Sequence, residues 1–176
     1  MAIVKLNAAN GLTGTIPQGN IANASLNAVT ALPAGVGGKV LQVVQGTHSG
    51  TLSITTQSYV DTGLSASITP SSTSNKVLVL IDFNIEQITS GNSADGVIDR
   101  NGTHVGADPF GIYSNSNVAD GETFSHAYLD SPSSTSALTY KFQMKNEASG
   151  YTTKYGSASS GINAVNTMIL MEIAGW

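Results

Sequence analysis

The stretch that decides the fold is NTMILMEIAGW, residues Asn166 to Trp176. Successive side chains of a β-strand point to opposite faces. One face of this stretch would hold Thr167, Ile169, Met171 and Ile173, and the other would hold Met168, Leu170, Glu172 and Ala174. Both faces are largely apolar, whereas a strand with one wet face alternates apolar and polar residues. The pattern therefore predicts a central strand that has lost water from both sides.

A strand covered on both faces needs two covering surfaces. We expect one face to pack on the core of the domain and the other on a neighbouring subunit. The residues assigned to this subunit interface are Met168, Leu170, Glu172 and Trp176. The charge of Glu172 requires a partner or an exposed end. An aromatic side chain at a terminus is expected to be covered, so Trp176 is placed at the base of the oligomer.

The composition of the 176 residues favours one domain with a single sizeable core. Charged residues make up 10% and the net charge is −4 with one arginine, Arg100, which argues against nucleic acid as a partner. We expect no membrane attachment and no secretory signal, because no apolar run reaches about 18 residues and Met1 to Gly19 lacks the pattern of a leader. The chain has no cysteine, which excludes disulfides and sulfur-ligated metals.

Residues 1–38 differ from the rest of the chain, and we interpret them as an extended arm ahead of a domain that spans residues 39–176. The arm carries no charge after Lys5, and Ile16, Ile21 and Leu26 recur every five residues. Two interpretations stay open. The spacing arises by chance in a flexible arm, or these three residues dock at intervals on a partner against which the arm becomes ordered.

From Lys39 onward the sequence predicts short strands separated by turns, and no segment has the pattern of an amphipathic helix. The longest strand is predicted over residues 76–88, where Val77, Val79, Ile81, Phe83 and Ile85 share one face. The opposite face begins with Leu78 and Leu80 and becomes polar at Asp82, as if the strand left a covered region. Asn101-Gly102 predicts a tight hairpin, because both of its turn positions favour positive φ.

Further strands are predicted in ETFSHAYLD and in a run whose inward face comprises Leu138, Tyr140, Phe142 and Met144. About eight to ten strands at these spacings indicate an antiparallel β-sandwich of jelly-roll or Greek-key type. Residues 107–121 are interpreted as a long loop. Four aromatic residues in loop-like stretches are candidate glycan contacts, the alternative being that the loop aromatics plug onto the sandwich: Phe110, Tyr113, Tyr151 and Tyr155.

The sequence does not favour an enzyme. His48, His104 and His126 are far apart in sequence and form no metal-binding motif, and the nucleophile and nucleotide-binding motifs are missing. Asp82, Asp95, Asp99 and Asp108 are conceivable glycosidase acids, but a domain of this size hardly provides the long groove of such enzymes. We therefore expect no catalytic residue, no metal and no cofactor.

Six segments in order carry a family resemblance over nearly the whole chain: GTIP..NIANAS, KVLQVVQ, LSASITPSSTSNKVLVLIDF, the RNGT hairpin, YLDSPSSTSALTYKFQ and MILMEIAGW. Together they resemble virion-surface proteins of bacteriophages, notably those that infect cyanobacteria and marine bacteria. The resemblance implies a homotrimeric β-sandwich at the virion surface, made in the cytoplasm of the bacterial host. Its implied role is either a cement protein bound to the major capsid protein or a tail-fibre or tailspike distal domain that binds a host surface glycan. The short arm favours the cement protein.

Overall fold

The computed structural model describes residues 39–87, 93–113, 121–159 and 162–175, which form β-strands and no helix. Eight of the strands have eight or more residues: β1 (Val40–His48), β3 (Val60–Ile68), β4 (Lys76–Gln87), β5 (Ser93–Arg100), β6 (Thr103–Tyr113), β7 (Glu122–Asp130), β8 (Leu138–Asn146) and β12 (Asn166–Ile173). Four more are short: β2 (Leu52–Ile54), β9 (Thr153–Tyr155), β10 (Ser157–Ser159) and β11 (Ile162–Asn163). The predicted all-β fold class is confirmed.

The long strands form two antiparallel sheets of four strands each. In the first sheet β1, β12, β4 and β7 lie side by side, and β9 followed by β2 continues this sheet beside the far end of β4. In the second sheet the order is β3, β8, β5 and β6. The short strands β10 and β11 pair with each other. The C-terminal strand β12 is therefore central, as its two apolar faces predict.

The connections between the long strands follow the winding of a jelly roll. Each connection passes from one sheet to the other, except that β5 and β6 form a hairpin within the second sheet. The first and last long strands, β1 and β12, are neighbours as a result. Jelly rolls occur in viral capsid domains, lectins and cupins, so the winding identifies the architecture and leaves the function open.

The core lies between the two sheets and follows from period-two alternation. The predicted inward face of β4 is buried along its whole length, from Val77 to Ile85. The inward face of β8 meets it from the other sheet, with Tyr140, Phe142 and Met144 fully buried. Phe83 and Phe142 make the closest aromatic contact across the core, with ring centroids 4.5 Å apart. Such burial of large side chains is the main stabilising contribution in a domain that has no cysteine to cross-link it.

Two glycines are required by the backbone. Gly46 lies on the inward face of β1, where a Cβ atom would overlap the carbonyl oxygen of Ser65 on β3. The absence of a side chain therefore allows the edge strands of the two sheets to approach each other closely. At the tip of the β5–β6 hairpin, Asn101 and Gly102 have φ of 51° and 88°. These values confirm the predicted hairpin and its requirement for positive φ.

One prediction about local structure is wrong. Residues 107–113, interpreted above as the start of a long loop, continue strand β6 and pair with β5. The Pro and Gly residues that indicated a loop, Pro109 and Gly111, are compatible with this strand because β6 is at the edge of its sheet. The remainder of the predicted loop up to residue 120 lies outside the described residues, as do the arm over residues 1–38 and Trp176.

Candidate functional surfaces

The outward face of the first sheet is apolar across four strands. In register across the sheet, one row consists of Val43, Met171, Leu78 and Leu129. The adjacent row consists of Gln45, Ile169, Leu80 and Ala127. The side chains of Val43 and Leu129 at the two edges are 57% and 42% exposed, and the central ones are half-buried by their neighbours. We call these two rows the apolar face.

The apolar face is bordered by a polar row at one end and, at the other, by a row that combines Val40 and Ile173 with Lys76. The row beyond Ile169 and Leu80 contains Thr47, Thr167, Asp82 and Ser125. Asp82 accepts a hydrogen bond from the hydroxyl of Ser125. At the opposite border Ile173 pairs with Lys76, whose Nζ donates to Ser131 Oγ at 2.9 Å. An apolar centre with polar and charged residues at its borders is typical of a protein interface.

The outward face of the second sheet is polar and its charges are paired. Lys141 Nζ lies 2.7 Å from Asp61 Oδ2, and Gln143 Nε2 donates to the other oxygen of Asp61 at 2.5 Å. The bond from Lys141, and then that from Gln143, lowers the pKa of Asp61. Lys145 Nζ lies 3.2 Å from Asp95 Oδ2 and also 5.2 Å from the centre of the Tyr59 ring. This face is therefore polar with two paired charges, but the acids on β5 are covered by neighbouring side chains, since Asp95 and Asp99 are only 6% and 4% exposed.

Glu172 has a local set of hydrogen-bond donors. Its carboxylate is 1% exposed at the end of the core, and four hydrogen bonds reach it. Gln42 Nε2 donates to Oε2 at 2.7 Å, whereas Oε1 accepts from Ser71 N and Oγ at 2.7 Å each and from Asn75 Nδ2 at 2.5 Å. Burial raises the pKa of Glu172, but these bonds outweigh it and lower the pKa to about 2. The predicted partner of this charge is thus a group of neutral donors.

A second buried acid joins the two sheets. Asp130, at the end of β7, accepts from Arg100 Nη1 at 2.5 Å and from the Tyr140 hydroxyl at 2.6 Å. Burial and the bond to Asp130 raise the pKa of Tyr140 well above its usual value. Because both donors lie on the second sheet, Asp130 fixes one corner of the sandwich.

The assignment of interface residues on β12 requires correction. Met168, Leu170 and Glu172 are buried inside the protomer, where they contact the core or the donors described above. A side chain that is already covered by its own chain adds no contact surface to a subunit interface. The outward face of the same strand, with Ile169 and Met171, belongs to the apolar face instead. The alternation was identified correctly, but the core was assigned to the wrong face.

The four candidate glycan contacts lie in different environments. Tyr155 is on β9 with its ring 0% exposed, so it presents no surface to a sugar. Its flanking glycine and polar residues suggested a loop, but its ring packs against Phe142 and His48 in the core. Tyr151 is half-buried in the segment between β8 and β9. Phe110 and Tyr113 lie on β6, and their side chains are outside the described residues, as are Ile16, Ile21 and Leu26.

Sequence reasoning missed that the apolar face spans four strands. Leu78 and Leu80 showed a signal, because β4 begins with apolar residues on both faces. Val43 and Leu129 showed none, since the register that aligns them with β4 joins residues far apart in the sequence. Among the described residues, no three His, Cys, Asp or Glu side chains are grouped to hold a metal ion. No helix in the described ranges is long and apolar enough to cross a membrane.

Comparison with known proteins gives only remote structural matches. No protein-family model and no curated protein matches the chain. One similar solved structure is the D431N mutant of the VP2 protein of infectious bursal disease virus in T=1 particles, with 14% identity and a TM-score of 0.45 over 76% of this chain and 36% of that one. Another is dimeric latent PorU from Porphyromonas gingivalis, with 11% identity and a TM-score of 0.37 over 79% of this chain and 14% of that one. The chain thus spans little more than a third of the first protein and a smaller share of the second.

Proposed function

We propose that this protein is a non-enzymatic structural component of a bacteriophage virion, namely a homotrimeric cement protein that decorates the capsid surface. The observation that carries the proposal is the apolar face, which gives a charge-poor jelly roll a surface suited to assembly. Three parts of the proposal are taken from the sequence resemblance: the location in the virion, the trimeric state, and the major capsid protein as the partner. In this role the protein stabilises the head by binding the assembled lattice, which requires no cofactor.

The arm, residues 1–38, makes the contact with the capsid in this proposal. Ile16, Ile21 and Leu26 supply apolar side chains at regular intervals in a segment that has no charge after Lys5. A chain segment that becomes ordered on a partner can cover a large surface with few residues. The jelly roll then remains on the outside of the particle.

Cosedimentation tests the proposal. The purified full chain is mixed with undecorated capsids and, separately, with host cells, and the pelleted fraction is measured. We expect it to pellet with capsids; pelleting with cells alone would refute the cement role. Replacing Ile16, Ile21 and Leu26 by Asn is expected to abolish capsid binding and leave the sandwich folded. The matched control replaces Ala22 and Ala24 of the same segment by Asn and is expected to bind.

A second candidate is a receptor-binding module of a tail fibre or tailspike that contacts a host surface glycan. The polar outward face of the second sheet favours it, since the Tyr59 ring lies there against His104, which in turn is hydrogen-bonded to Gln143. Aromatic rings next to amide groups are typical of sugar-binding surfaces. Glycan-array binding that is lost in Tyr59→Ala, and retained in the core variant Tyr155→Phe, would favour this role over the cement role.

A further inference from the structure

The charges around the apolar face are arranged along a single strand. On the outward side of β4 the order is Lys76, Leu78, Leu80 and Asp82. The positions in register with these residues carry no charge on the neighbouring strands. They are Val40, Val43, Gln45 and Thr47 on β1; Ile173, Met171, Ile169 and Thr167 on β12; and Leu129, Ala127 and Ser125 on β7. One cation and one anion therefore lie at opposite ends of the face, about 20 Å apart at the rise of an antiparallel strand.

We propose that the occupant of the apolar face is a second copy of this chain, packed face to face about a two-fold axis that crosses β4 between Leu78 and Leu80. The axis lies in the contact, between the first sheet of one copy and the first sheet of the other, and it is perpendicular to the strands. Strand β4 of each copy therefore runs antiparallel to β4 of the other. This arrangement brings Lys76 of one copy over Asp82 of the second copy, and the reverse contact forms at the other end. The contact is isologous, as in most symmetric dimers.

The same axis also places the apolar rows of the two copies on each other. The row that contains Val43 and Leu129 stacks on the row of the second copy that contains Gln45 and Ala127. At one edge Leu129 thus meets the smaller Ala127, and at the other edge Val43 meets Gln45. Sheets that pack face to face lie about 10 Å apart, and their strand directions differ by about 30°. The long side chain of Lys76 can still reach Asp82 of the second copy at this angle.

Charge complementarity favours a second copy over other occupants. If the strands of two copies ran parallel, Lys76 would lie over Lys76 and Asp82 over Asp82, and like charges that face each other are destabilising. In the two-fold arrangement each charge faces an opposite charge of the second copy, in addition to the bonds that Lys76 and Asp82 make within their own chain. An unrelated partner would need an acid and a base at the same spacing, in the opposite order.

The expected strength follows from the size of the face. Four strands about 4.8 Å apart and four rows of side chains span about 20 by 20 Å, or about 800 Å² over both copies, which is below the size of standard specific interfaces and typical of weak, transient contacts. We therefore expect weak, reversible association with a Kd of about 10 to 100 μM. The inference concerns the same apolar face on which the proposed function rests, and it assigns that face to a second copy, whereas the contact with the capsid is assigned to the arm.

Charge reversal tests the arrangement. Sedimentation velocity of the full chain between about 1 and 100 μM measures association of the wild type, Lys76→Glu, Asp82→Lys and the double variant. Each single variant brings like charges together twice and is expected to weaken association about tenfold or more. The double variant restores both pairs with reversed sign and is expected to recover the wild-type Kd. Single variants without effect, or a double variant as weak as the single ones, would overturn the two-fold arrangement.

Leu80→Asp tests the occupant. It introduces a charge at the centre of the apolar face and is expected to abolish the added association, while its circular dichroism and Tm stay close to wild type because the side chain points away from the core. Val165→Asp is the matched control, since Val165 is 64% exposed and outside the face. No change in association for Leu80→Asp would refute a second copy as the occupant. If Leu80→Asp instead reduced cosedimentation with capsids alone, the occupant would be the capsid protein and the inference would be wrong, while the proposed function would stand.

Discussion

The carboxylate of Glu172 provides a test of how the end of the core is held together. We consider Glu172→Gln, which keeps the shape of the side chain, removes its charge and places an amide group among four donors. One oxygen of Gln accepts as before, but its NH2 group is a donor where an acceptor is needed. An unmatched donor in a buried position is destabilising.

The magnitude follows from the pKa of Glu172. A fall from 4.5 to about 2 corresponds, at 1.36 kcal/mol per unit, to about 3 kcal/mol of stabilisation by the ionised form. Because the folded-state pKa is lowered, this stabilisation is complete above about pH 5 and is lost as the pH falls towards 2. We expect Glu172→Gln to lower the free energy of unfolding at pH 7 by about 2 to 3 kcal/mol, and the Tm by about 5 to 10 °C.

Urea unfolding followed by far-UV circular dichroism at one low protein concentration measures the effect at pH 7, 5, 4, 3 and 2.5. The difference between wild type and Glu172→Gln is expected to shrink from about 3 kcal/mol at pH 5 to about 1 kcal/mol at pH 2.5. Asp61→Asn is the control, because the side chain of Asp61 is 46% exposed and a pair at the surface contributes at most about 1 kcal/mol. A difference that stays constant across this pH range would refute the role assigned to the charge of Glu172.

Three further outcomes are expected from other contacts. Asp130→Asn should lower the free energy of unfolding by about 2 to 4 kcal/mol in urea titrations, because it leaves the guanidinium of Arg100 without its carboxylate; a loss below 1 kcal/mol would contradict this. Tyr155→Phe should change stability by less than about 1 kcal/mol, since the buried hydroxyl of Tyr155 makes at most a weak contact, with Thr62. A large decrease in the Tm of this variant would show that the hydroxyl of Tyr155 makes a stabilising hydrogen bond. Gly102→Ala should lower the free energy of unfolding by about 1 kcal/mol through its positive φ alone. Gly46→Ala should prevent stable folding, because the added Cβ would overlap the backbone of a neighbouring strand. Equal expression and equal Tm of the two variants would contradict that difference.

The strands could be predicted because period-two alternation is a local property of the sequence. The inward faces of β4 and β8, and the Asn101-Gly102 turn, follow from residues that are close together in the chain. The extension of β6 through residue 113 could not be predicted in this way. Its Pro and Gly residues favour a loop locally, and only pairing with β5 makes the segment a strand.

Only part of the candidate surface could be predicted from the sequence. An apolar residue on both faces of β12 predicted two covered faces, but alternation cannot distinguish the inward face from the outward one. Glu172 appeared to mark the outward face, because a charge is usually exposed. Its donors come from β1 and from the β3–β4 connection, and their convergence depends on the jelly-roll winding. The apolar rows depend on the same winding.

The neighbouring positions of β1 and β12 have a consequence for synthesis on the ribosome. His48 and Asn166, which are paired at the end of these strands, are 118 residues apart in the chain. At about 5 to 20 residues per second, β1 leaves the ribosome some 6 to 24 seconds before its neighbour is made. During this interval the backbone of β1 lacks its ladder, and Leu41 and Val43 are available to chaperones or to other nascent chains. The strand that completes the first sheet is the last of the eight long strands to be translated, so a chain that stops before β12 leaves both β1 and one side of β4 unpaired.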